Sequence, residues 1–300
     1  TDSLVGSEMC IRDRYLTISI LATAISSALY YFVSFDTVNV IGMPAMIIML
    51  AIAFVIQWLI FIPSSILQTE RFYDLTGSAT YLILVLTASI ISYTNNLLTI
   101  QKIIIALSIG AWALRLGSFL FIRVLRAGED KRFEHVKTAP RLFFMFWTLQ
   151  GVWITICLAP ALVAILHNDV SNDLLIFSFG LIIFVFGFIY EAIADRQKSV
   201  FNSNPTNQGK FINQGLWYYS RHPNYFGEFM VWAGITIMAF QFLGGFAYLA
   251  LISPIFTFIQ INFISGASIL QKRGLEKWGD EGDYILYMKN TPKYIPNFFK

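Results

Sequence analysis

The chain has 300 residues, of which 56% are hydrophobic and 13% charged, and its mean hydropathy is +0.62. This balance excludes a soluble domain of ordinary composition and describes a multi-pass membrane protein. The net charge of +3 comes with no recognisable nucleic-acid module, and two cysteines and three scattered histidines suggest neither a disulfide framework nor a metal site.

Residues 4–13 (LVGSEMCIRD) read as the translation of a sequencing-library adapter. Residues 1–14 are therefore set apart, and 15–300 are taken as one integral-membrane domain. A hydrocarbon core about 30 Å thick needs roughly 20 helical residues to cross it. Apolar stretches of that kind run over 15–35, 41–62, 76–93, 103–125, 142–166, 174–193, 223–243 and 246–270, with Gly, Pro and Asn between them. The predicted fold is all-α, a transmembrane helical bundle of about eight spans, seven to eight because the third is short. Cys157, inside an apolar span, reads as a packing residue. With eight spans, 19 of the 21 Lys and Arg fall on one side, which places both termini and the two long loops in the cytosol.

Polar groups on that side form four constellations. Glu70, Tyr73 and Asp74 enter the third span, with the two carboxylates one helical turn apart. They read either as a helix start that complements the macrodipole or as a proton donor whose pKa burial raises. Arg115, about ten residues inside a span, asks for a carboxylate or an anionic ligand. Glu191 and Asp195 share a face at the end of the sixth span, where carboxylates oppose the helix dipole. They suit a ribose, an adenine amino group or Arg221, or else a salt-bridged helix end. The basic loop 126–137 reads as solvated and close to anionic lipid.

The fourth constellation is GLWYYSRHPNYFGE, residues 215–228. Pro223 begins a helix on which Asn224 and Glu228 lie one turn apart. Arg221 and His222 stand beside its free N–H groups, as at an anion site, with Lys210 as a further source of charge. The stretch 272–278 and Tyr284 and Tyr287 read as headgroup-level groups.

These motifs, with WGDEGDYILYMKNTPKYIPNF near the end, resemble the C-terminal domain of the steroid 5-alpha-reductase superfamily, in particular its DUF1295 branch. Isoprenylcysteine and phospholipid methyltransferases share the R-H-P-x-Y-x-G core. The resemblance implies a membrane enzyme that binds NADPH on the cytosolic side and reduces a carbon–carbon double bond conjugated to a carbonyl in a lipid-soluble substrate. It implies cofactor contacts from Asp195, Asn224 and Glu228, with Arg221 and His222 near the phosphates, and it puts Glu70 at the position of a catalytic glutamate. The residues themselves add Glu191, Arg196, Lys210 and Tyr225 as cofactor candidates and Tyr73 and Asp74 as catalytic ones. The chain departs from the steroid reductases where Trp112 replaces their catalytic tyrosine, since an indole N–H donates a hydrogen bond but delivers no proton. An S-adenosylmethionine-dependent methyltransferase and a non-catalytic membrane scaffold are the alternatives.

Overall fold

The computed structural model describes all residues except 1, 131, 170–172, 265, 299 and 300, and the side chains of 2–12, 264, 268 and 269 also lie outside the description. Most of the set-apart segment 1–14 falls there. Among the described residues, seven helices are long and apolar enough to cross a membrane. Apart from them there are short helices and one two-residue β-hairpin, Asn39–Val40 paired with Met43–Pro44. The protein is an all-α, integral, multi-pass membrane protein.

The stretch 223–243, expected as a span, is not among these seven. Its α-helix covers only Pro223–Ala239, 17 residues, or about 25 Å. The chain then tightens into a 3-10 turn at Phe240–Phe242. Gly245, at φ +49°, starts the last span in a left-handed conformation that glycine tolerates best. That span continues through 3-10, α and π turns to 263.

The chain divides into two compact units, residues 1–173 with 239–252, and residues 174–238 with 253–300. In the first unit, α1 (Asp2–Phe32), α2 (Ala45–Ile66), α3 (Tyr73–Thr94) and α4 (Ile100–Ala127) pack around α5 (Pro140–Leu166). Every residue of α5 from Ile154 onward is buried, Cys157 included. A helix apolar on all sides belongs at the centre of a bundle. Several polar side chains within the bundle pair internally, as a low-dielectric surround favours. The Tyr30 hydroxyl donates to Thr155 O at 2.9 Å, and Gln57 Nε2 donates to Thr80 Oγ1 at 2.9 Å.

The loop between α4 and α5 is largely exposed, as expected, but two apolar side chains and its ion pairs anchor it. Phe133 and Val136 are buried against Phe143 and Trp147. Its charges, described below, are ion-paired to the start of α3.

In the second unit, α6 (Leu174–Ser203) and α8 (Pro223–Ala239) run antiparallel in close backbone contact. Gly180 and Gly187 on one helix, and Gly227 and Gly234 on the other, are each seven residues apart and form the contact. A Cβ added at Gly227 would lie 2.7 Å from Glu191 N, and one at Gly234 would lie 2.5 Å from Phe184 N. Small residues at two-turn spacing let helix backbones approach where lipid gives little drive to associate. After α7 (Leu216–Tyr219), α9 (Ile252–Ile259), α10 (Ala267–Trp278) and α11 (Gly282–Asn290), the tail returns to the start of α8.

Candidate functional site

The glycine contact sets the geometry of the second unit's site. Gly227 touches the backbone of Glu191, so one turn further on Asp195 comes level with the N-terminus of α8. Glu191 and Asp195 are both buried. The loop into α8 is pinned to the end of α6, because Leu216 N donates to Gln197 Oε1 at 2.9 Å and Trp217 Nε1 donates to Ala194 O at 3.0 Å. Gly215 adopts φ +60°, and a Cβ there would collide with the Gln197 amide.

The tail fixes the other side. Arg221 N donates to Pro292 O at 2.9 Å, His222 N to Lys293 O at 3.1 Å, and the Ser220 hydroxyl to Tyr294 O at 2.7 Å. This brings Lys293 beside Arg221 and His222. The His222 ring is stacked on Tyr225 at 5.4 Å. Burial, followed by the positive charges of Lys198, Arg221 and Lys293, pushes its pKa down to about 3. His222 is therefore a neutral hydrogen-bonding group at neutral pH, not a cation. Burial and Arg221 also lower the pKa of Lys293.

The cations near His222 are incompletely answered. Among the described residues neither Arg221 nor Lys293 has an ion pair, and Arg221 Nε is buried with no hydrogen-bond partner. Arg221 Nη1 meets only the Met288 sulfur, at 3.2 Å. Lys293 Nζ donates to Asn262 Oδ1, which also accepts from the Tyr294 hydroxyl. Asn262 lies in the π-helical turn Gln260–Ile264, a distortion often found at functional sites. A buried orphan guanidinium nitrogen at a helix N-terminus, with two further cations close by, fits an anionic group such as a phosphate.

Of the sequence-derived cofactor residues, the structure gathers Glu191, Asp195, Arg221, His222, Asn224 and Tyr225 at this end of α6 and α8. Glu228 stands one turn inside α8. Arg196 and Lys210 are exposed, and among the described residues neither side chain makes a hydrogen bond or ion pair. Lys293, Tyr294 and Asn262 escaped the sequence reasoning. Their one local signal was the Pro292-Lys293-Tyr294 run directly after α11.

The catalytic candidates Glu70, Tyr73 and Asp74 lie in the first unit, at the start of α3. Glu70 is buried; its Oε1 accepts from Asp130 N at 2.9 Å and its Oε2 lies 3.2 Å from Lys137 Nζ. Burial alone would raise its pKa. The Asp130 N–H, the Glu70 N–H and Lys137 outweigh burial and hold the carboxyl below the ordinary range. The raised pKa expected from burial is thus reversed, because the site supplies donors as well as dryness. Lys137 shifts upward through the same contacts, against the effect of burial.

Asp74 pairs with Arg132 Nη2 at 2.9 Å, and that guanidinium also holds Asp130 at 2.6 Å. Arg123 lies within 4 Å of both carboxylates. The Tyr73 hydroxyl donates to Phe146 O at 2.9 Å, so its proton is already engaged. Residues 67–72 together with Gly128, Glu129 and Lys137 line an open cleft of about 490 Å³ beside Glu70.

The family described as "Protein of unknown function (DUF1295)" matches residues 60–291. The chain belongs to this family. Membership places it with membrane enzymes of the steroid-reductase and methyltransferase type. The chain is also similar to a protein named probable O-methyltransferase ustE, from Ustilaginoidea virens, at 37% identity over 70 residues. That match spans 23% of this chain and 23% of the relative's own length. No solved structure gives a significant match.

Proposed function

We propose that this DUF1295 protein is an NADPH-dependent reductase of a carbon–carbon double bond in a lipid-soluble substrate. The observation that carries the reading is the buried, partnerless Arg221 Nε at the mouth of α8, with Lys198 and Lys293 near enough to depress His222. NADPH carries a pyrophosphate and a 2′-phosphate that would draw on several cations. In this reading Arg221, Lys293 and the α8 N–H groups hold phosphate, neutral His222 hydrogen-bonds to it, and Asp195 and Glu191 accept from ribose or amide groups. Asn224, Tyr225 and Glu228 orient the remainder, and exposed Arg196 and Lys210 act only as peripheral charge.

Bound NADPH would supply a hydride to the electron-poor carbon of the conjugated double bond. Glu70, Tyr73 and Asp74 enter the proposal with revised roles. Glu70 is held ionised, so within its pair the proton-bearing partner is Lys137, which would polarise the carbonyl while the alpha carbon takes its proton from solvent. Asp74 positions Arg132, and Tyr73 anchors α3 to α5. The charge distribution supports a cytosolic position for both termini and for the cofactor site.

Similarity to the fungal O-methyltransferase favours a second reading, transfer of a methyl group from S-adenosylmethionine to a lipid. That donor has one carboxylate and a positive sulfonium, which is little anion for Arg221 and Lys293 together. Thermal melting of purified protein in detergent separates the two. NADPH is expected to raise Tm and S-adenosylmethionine to leave it unchanged, and stabilisation by the methyl donor alone would reverse the ranking.

A further inference from the structure

The first unit contains a second cavity, inside the bundle and separate from the cleft at Glu70. It lies between α3, α4 and α5, with Asp74, Ser78, Trp112 and Leu116 among its lining residues and Gln150 and Trp153 supplied by α5. Its enclosed part is about 20 Å³, and about 320 Å³ is empty when the space opening outward is counted. The inner part takes one water-sized group, such as a hydroxyl.

Two polar atoms on its wall have no hydrogen-bond partner although both are buried, Gln150 Oε1 and Trp153 Nε1. Gln150 is 4% exposed. Its orientation is fixed, because Nε2 donates to Tyr73 O at 3.1 Å and only the NH₂ end can do so. The carbonyl end is therefore left over. Gly77 makes room for this amide, since a Cβ at Gly77 would come within 2.6 Å of Gln150 Nε2. Gln150 and Trp153 are three residues apart on α5 and share a face.

An acceptor and a donor left unpaired on one helix face in an apolar bundle cost free energy unless something completes them. The completing group must accept from the indole N–H and donate to the amide oxygen. A carbonyl, ether or ester does only the first. We infer that this cavity binds the hydroxyl end of an apolar alcohol, with the oxygen between Trp153 Nε1 and Gln150 Oε1 and the hydrocarbon directed along the Trp112 and Leu116 wall. The inference concerns binding in the first unit and does not depend on which cofactor the second unit takes. A water molecule has the same donor and acceptor capacity, so the test compares molecules that differ only in the hydroxyl.

Full-length protein in lipid nanodiscs is photolabelled with a diazirine-bearing C16 alcohol, with its methyl ether and with the corresponding aldehyde. Labelled peptides are then mapped. The alcohol is expected to label α3–α5 at about one-tenth of the concentration the ether or aldehyde needs, the equivalent of one hydrogen bond. Gln150→Leu and Trp153→Phe are each expected to abolish that preference. Trp153→Phe keeps the Gln150–Tyr73 bond, so a loss there is not a folding defect, and melting curves check both variants. Equal labelling by alcohol and ether, as expected if water alone fills the site, would overturn the inference. So would an alcohol preference that survives both substitutions.

Discussion

At Glu70, burial and hydrogen bonding act in opposite directions, and the direction of the pKa shift shows which prevails. Two backbone N–H groups and Lys137 favour the carboxylate more than burial disfavours it. Because the folded-state pKa lies below the ordinary one, the stabilisation is complete above the ordinary carboxylate range. It is lost as pH falls through the folded value. Glu70→Gln removes the charge and leaves Lys137 with Glu129 alone. It is expected to lower stability by about 1–3 kcal/mol and to flatten the acid limb of a plot of Tm against pH. It is also expected to suppress turnover while sparing NADPH binding. An unchanged acid limb would show that Glu70 is not ionised in the folded protein. Glu70 and Asp74 were visible in the sequence because their four-residue spacing corresponds to one helical turn. Their partners were not, since Asp130 and Lys137 are 60 or more residues from Glu70 along the chain and nothing local announces the pairing.

At the scale of helices, the site depends on two structures of different legibility. Pro223 starts α8 as its sequence position requires, so the one-turn relation of Asn224 and Glu228 follows directly. The glycines that bring α6 against α8 were present at heptad spacing. They look like ordinary membrane-helix glycines until the partner helix is known. Gly227→Ala is expected to force the helices apart at Glu191, since its Cβ would meet backbone rather than a flexible side chain. The expected cost is about 1–3 kcal/mol, with weakened NADPH binding, whereas Gly244→Ala, with nothing within 4 Å, should spare both. Equal effects from the two would separate the glycine contact from the site. The pairing of residues 219–222 with the tail joins segments some 70 residues apart, which is why Lys293 was out of reach of local patterning.

For the molecule as a whole, composition and hydropathy made the membrane bundle evident. The end of α8 at Ala239 was set by backbone geometry, which hydropathy does not sense. The charge asymmetry carries the topology prediction: in intact cells a membrane-impermeant maleimide should label a cysteine introduced at Asn96 and not one at Gln208. The reverse pattern would invert the orientation and place the proposed nucleotide site on the wrong side for cytosolic NADPH.

The cation cluster around His222 is the centre of the functional account, and equilibrium titration of the detergent-solubilised protein with NADPH tests it most directly. The account predicts saturable binding that weakens with salt and falls at least about tenfold in Arg221→Ala, one charge-assisted hydrogen bond or more. Undiminished NADPH affinity in Arg221→Ala, or saturable binding of S-adenosylmethionine with none of NADPH, would contradict it.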